Sequence, residues 1–166
     1  MWVDNYPGGL ILKVWIDADS CPRSIRDVVG RACKRLCLDL IFVANREIPF
    51  DPNHNVSMVV VTEGESPADK YLIDQVKDDD LVITRDIPLA AELVTLSRKV
   101  INDRGIEYTT ENVRERLSVR DFMANLRDLG LPTQERHSIF GKKEIAAFSA
   151  AFDRIITRSI KNKAKS

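Results

Sequence analysis

The stretch Lys13-Val14-Trp15-Ile16-Asp17-Ala18-Asp19-Ser20-Cys21-Pro22-Arg23 decides the fold. An apolar run from Leu10 to Ile16 stops at two carboxylates two residues apart, and Pro22 then opens a segment with helical spacing. The order is strand, acidic turn, helix. In an open α/β sheet, ligands gather outside the carboxyl ends of the strands, so Asp17 and Asp19 stand where a site would be built. A carboxylate at such an edge needs a cation, a donor or water. A divalent metal is one answer.

Working outward, the same unit recurs. Across Pro22 to Leu36, the residues Ile25, Val28, Val29, Ala32, Cys33 and Leu36 share one helical face, and Arg23, Arg26, Arg31, Lys34 and Arg35 lie on or near the other. Asp39 to Ala44 and Val56 to Thr62 read as strands with continuous apolar runs, the pattern of parallel strands covered on both faces. At Ser66-Pro67 a helix is predicted to start, with Ser66 as N-cap. Asp69 then fits two roles: the acidic member of a capping box, or a site acid on a first turn beside the strand ends. Both are open, whereas Asp74 is expected on the solvated surface. Asp80 to Asp86 repeats the unit and delivers Asp86 to the same edge, ahead of a helix from Ile87 to about Ser97. Alone, Asp86 reads as an N-cap. Gathered with Asp17 and Asp19, it repels them unless something positive intervenes, and a hard cation such as magnesium or manganese takes such oxygen ligands.

Arg98 to Ile101 is the fifth strand, and Asn102-Asp103-Arg104-Gly105 follows it at the acidic edge. Asn102 and Asp103 can give oxygen to a metal or bonds to a turn. Beyond, Thr110 is expected to cap a short helix to Leu117, and Ser118 with Asp121 a second helix ending at Gly130. Arg114, Arg116 and Arg120 can touch phosphate, or pair with Glu111, Glu115 and Asp121. The expected organisation is a loose leader at 1–9, an α/β domain at 10–130, a linker at 131–141, an amphipathic helix at 142–160 and a basic tail at 161–166. Ile145, Phe148, Phe152, Ile155, Ile156 and Ser159 form the stripe of that last helix, which docks on the domain or on another copy, as a homo-oligomer contact.

At 166 residues the chain has room for one domain with a sizeable core. Apolar residues make up 44% and charged residues 30%, which excludes wholesale disorder. Acids and bases balance, 25 against 25, so nucleic acid would have to be held by a local patch. Three cysteines and two histidines, with no CxxC, argue against a disulfide framework or structural zinc. Cys33 and Cys37 are expected as small buried residues. No apolar run approaches the ~20 residues that span a bilayer, so no membrane association is expected and a reducing cytoplasm fits best.

The runs IDADSCPR at 16–23, DLVITRDIPLA at 80–90 and RGIEYTTENVRERLSVRDFM at 104–123 resemble the YaiI/YqxD family of uncharacterised bacterial proteins, which is similar to the wider PIN-like nuclease fold. The likeness covers about residues 12 to 130. It implies a three-layer α/β fold, a mostly parallel sheet of about five strands flanked by helices, followed here by the C-terminal helix. It also implies an acidic cluster holding one or two Mg2+ or Mn2+ ions. Carried over, the catalytic and metal-ligating carboxylates are Asp17, Asp19, Asp69 and Asp86, with Asn102 or Asp103 in a further position. The metal would polarise the scissile phosphate and lower the pKa of a bound water. Arg23, Arg85 and Arg104, with Asn102, are nearest by sequence to steady a nucleic-acid backbone. The family often has further acids around the second helix start, where this chain has Ser66 and Lys70, so one metal is easier to support than two. Its N-P-R-G reads Asn102-Asp103-Arg104-Gly105 here, which adds an acid.

The expected function is therefore metal-dependent phosphodiester hydrolysis of RNA or single-stranded DNA. One alternative is a non-catalytic module that binds RNA or protein. Another is a DxD phosphatase with Asp17 as nucleophile and Asp19 as acid/base, against which stand Cys21 and the lack of a later phosphate-binding lysine.

Overall fold

A computed structural model describes residues 12–52, 55–133 and 140–165. The expected leader, Leu10 and Ile11, residues 134–139 of the linker and Ser166 lie outside the described residues. The chain runs β1 (Lys13–Asp17), α1 (Arg23–Leu36), β2 (Asp39–Ala44), β3 (Val56–Val60), α2 (Pro67–Gln75), β4 (Leu81–Ile83), α3 (Ile87–Thr95), β5 (Lys99–Ile101), α4 (Thr110–Asp128) and α5 (Lys142–Lys165). All strand pairs are parallel, in the order β3-β2-β1-β4-β5. β1 is central: the chain runs outward from it through β2 to β3, then crosses over through α2 to β4 on its other side and on to β5. That reversal opens the crevice where ligands bind in such sheets.

Alternation along the strands sends side chains into two cores. Val14, Ile16, Leu40, Phe42, Ala44, Leu81, Ile83 and Ile101 pack with Ile25, Val29 and Cys33 of α1 and with Phe148, Phe152, Ile155 and Ile156 of α5. On the other face Trp15, Ile41, Val43, Val82 and Val100 meet Leu72 of α2, Leu89 and Leu93 of α3, and Val113 of α4. The sheet is thus covered on both faces, which is why its strands read as unbroken apolar runs. The middle of the α5 stripe, Phe148 to Ile156, is spent on this core within its own chain. Docking is close at Gly105 (φ +78°), where a Cβ would come 2.4 Å from that of Ala151.

Several local expectations change. The segment from Thr110 to Asp128 is one helix, capped by Thr109 and Asn112 in a reciprocal capping box, with Ser118 and Asp121 exposed within it. Nothing between Thr110 and Gly130 is a proline or glycine, so nothing there breaks a helix. Gly130, at φ +71°, makes the stop. α5 continues past Ile160 to Lys165, so the basic residues expected as a tail are helical up to that point. Leu36 is exposed at the end of α1, and Cys37 follows the helix in the left-handed region, also exposed, rather than in the core; Cys21 and Cys33 are buried free thiols. Among the described residues no helix is long and apolar enough to cross a membrane.

Candidate acidic site at the strand ends

Asp17 is the last residue of β1 and is only 4% exposed. Its Oδ2 accepts the hydroxyl of Thr84, at the end of β4, over 2.7 Å. Burial pushes its carboxyl above the usual carboxylate range; the Thr84 and Ser20 hydroxyls pull the other way, and the charges of Asp86 and Asp19 add to the rise. Asp19, exposed, accepts the Asn45 backbone N–H on Oδ2 at 2.7 Å, which ties the end of β1 to the end of β2. Asp86 caps α3, taking the Leu89 N–H on Oδ1 at 3.0 Å, while its own N–H donates to Thr84 Oγ1.

Asp69 lies in the first turn of α2. Its capping-box reading fails, because Ser66 is at φ +48° and its side chain makes no cap bond. The carboxyl is pushed up to about 6, by partial burial first and then by Asp86, Asp17, Glu92 and Asp19. Asp17 and Asp69, from β1 and α2, therefore both feel the charges of Asp19 and Asp86 at one edge.

The fourth loop divides its labour. Asn102 turns the chain: its Oδ1 accepts the N–H groups of Arg104 and Ile106, each at 2.9 Å, so this oxygen builds a turn. Asp103 is buried, with Oδ2 2.8 Å from Arg85 Nε. Arg104 stands 4.0 Å from Glu144, and Arg23 opens α1 in an exposed position. Of the other arginines, Arg116 lies over the Tyr108 ring and Arg120 is 4.0 Å from Asp121.

Three contributors escaped sequence reasoning. Thr84 is fully buried and serves Asp17, Ser20 and Asp86 together, which its place in a strand end did not signal. Ser20 receives the Arg85 N–H at 3.0 Å, and Phe140, in the expected linker, meets the guanidiniums of Arg85 and Arg104.

In kind, the donors suit a hard divalent cation: all are carboxylates, and Asp17, Asp19 and Asp86 each commit one oxygen to the protein. In spacing, no three His, Cys, Asp or Glu side chains among the described residues stand together as an ion-holding group. A cation here would rest on a partial shell completed by water or substrate.

The family model described as "Uncharacterized BCR, YaiI/YqxD family" matches residues 15–158. A "UPF0178 protein" of Geobacter metallireducens is 45% identical over 150 residues, covering 90% of this chain and 96% of the relative. One from Treponema denticola is 45% identical over 152 residues (92% and 96%), and one from Treponema pallidum 46% over 143 (86% and 80%). No solved structure matches. With a family model spanning nearly the whole described chain and relatives matched over 80–96% of their own length, the chain belongs to the YaiI/YqxD family.

Proposed function

We propose that the chain is a PIN-like, divalent-metal-dependent phosphodiesterase acting on RNA or single-stranded DNA. One observation carries the reading: Asp17, Asp19, Asp69 and Asp86 gather at the carboxyl edge of a parallel sheet, where burial first and neighbouring like charge second raise the carboxyls of Asp17 and Asp69 above their ordinary range. Carboxyls raised by burial together with neighbouring like charge are candidates for a site built to hold a cation or a proton. A bound Mg2+ or Mn2+ would supply charge for a scissile phosphate and acidify a water.

The chain's own residues do the rest. Thr84 fixes the Asp17 carboxylate by one oxygen. Asp86, pinned by Leu89, and Asp69, on the first turn of α2, add negative charge to this edge. Asp19 holds the β1 and β2 loops together through Asn45. Arg85 and Arg104 supply cations next to these acids, where a substrate phosphate needs them.

A second reading has support of its own. Asp19 and Asp86 already serve backbone bonds, and no three acids among the described residues stand at ligating distance, which suits a non-catalytic module that binds RNA or protein through the basic faces of α1 and α5. Cleavage of a labelled single-stranded RNA in manganese separates the two. The nuclease reading expects turnover by the wild type and at least a 100-fold loss in Asp17→Asn; RNA binding without turnover by freshly purified wild type favours the module.

A further inference from the structure

Arg85 leaves the end of β4, Arg104 sits in the turn after β5, and Phe140 precedes α5. The guanidinium carbon of Arg104 lies 5.6 Å from the Phe140 ring centroid, and that of Arg85 6.0 Å. Two cations held this near one ring repel unless the surroundings compensate. The ring's negative face does so in part. The buried Asp103 carboxylate beside Arg85 and Glu144 Oε1 beside Arg104 do the rest.

Glu144 has a second task. Its Oε2 accepts the Gly141 N–H at 2.9 Å, which fastens the residue after Phe140 to the first turn of α5 and sets the ring from that side. The Arg85 and Arg104 side chains stay 48% and 31% exposed, so both reach solvent from this mount. The Arg85 backbone links to the acidic edge through two hydroxyls: its N–H donates to Ser20 Oγ, Ser20 Oγ is 3.3 Å from Thr84 Oγ1, and Thr84 donates to Asp17.

We infer that Arg85 and Arg104, oriented by Phe140, form the phosphate grip of this edge for a single-stranded nucleic acid, and that Glu144 is the counterion a backbone phosphate replaces at Arg104. The identity of the ligand rests on the phosphodiesterase reading; the grip itself rests on the mount. Guanidinium forks match the spacing of two phosphate oxygens, and a flat ring beneath them limits their rotation, so little freedom is lost on binding. A flexible single strand can bring one phosphate down between the β1, β4 and β5 loops, where Asp17 is recessed. Phe140 is a positioning residue, and the two arginines make the contact.

The test is anisotropy of a labelled single-stranded RNA in calcium across a salt series, with cleavage in manganese and melting temperature read on the same proteins. Arg104→Gln is expected to weaken binding roughly 10-fold and to flatten the salt slope by about 1. Phe140→Leu should weaken it roughly 5-fold with the slope kept, since both charges remain. Glu144→Gln, whose amide oxygen still accepts from Gly141, should tighten binding roughly 3-fold, a change opposite to the loss expected if the group were only a brace. Wild-type affinity in both Arg104→Gln and Phe140→Leu, or weakened binding together with a lowered melting temperature in Glu144→Gln, would overturn the grip. If the wild type cleaves while all three variants bind as it does, the grip alone is wrong. Should the wild type bind with an Arg104-dependent slope and cleave nothing, the grip stands and the phosphodiesterase reading falls.

Discussion

Asp80 and Asp17 are both carboxylates buried against the central strands, at opposite edges of the sheet, and the chain treats them in opposite ways. Asp80, 2% exposed at the amino edge, accepts from Lys13 N at 3.1 Å, Trp15 Nε1 at 3.0 Å and Lys77 N at 3.0 Å. Three N–H donors replace the water it loses, and β1, β4 and the α2–β4 turn are tied together. Asp17, at the carboxyl edge, has only hydroxyls to lean on, from Thr84 and Ser20, and, for near neighbours, Asp86 and Asp19. A buried charge with a full set of donors is structure, whereas one left short and crowded by like charge is poised to take a proton or a cation.

The largest expected effect lies at the amino edge. Asp80→Ala leaves three donors unpaired and should destabilise by about 3 kcal/mol in urea unfolding, without altering any response to manganese. An equal loss of metal response would break the division between the edges. Next, Thr84→Val keeps shape but removes the hydroxyl shared by Asp17 and Asp86. It should cost roughly 1.5 kcal/mol in the same unfolding experiment and push the Asp17 carboxyl further up, weakening manganese binding.

Smaller still is a pH effect carried by Asp69. Its folded pKa, about 6, lies above the ordinary value of 3.8, so the folded state holds the proton more tightly than the unfolded chain. That stabilisation is complete below about pH 4 and is lost as pH rises through about 6. Because the group is only partly buried, screening reduces the effect to about 1 kcal/mol. Urea midpoints measured without metal at about pH 4 and about pH 7 should therefore fall more in the wild type than in Asp69→Asn. Identical slopes would remove Asp69 from the cluster.

Much of this contrast was legible in one dimension. Asp17 ends an apolar run, Asp19 follows it by two and Asp86 opens a helix, so local pattern put these three at one edge and left Asp69 open between a cap and a site role, while unbroken runs announced a parallel sheet with both faces covered. The role of Asp80 was not legible, because two of its donors, Lys13 and Trp15, come from 67 and 65 residues away. Phe140 was read as linker for the same reason: its meaning lies in two arginines far earlier in the chain, Arg85 and Arg104. At Ser118 a local rule misled, since Ser-x-x-Asp also fits a helix interior once Thr109 and Asn112 have started the helix upstream. Periodicity found the α5 stripe but left open whether its own domain or another copy covers it.

Calorimetric titration of manganese into the wild type and into the Asp17→Asn/Asp86→Asn pair, near neutral pH, tests the central claim most directly. The account predicts a saturating heat with a dissociation constant at or below the millimolar range in the wild type and none in the pair, with both proteins equally folded. No heat from the wild type at millimolar manganese, or the same isotherm from the pair, would contradict it.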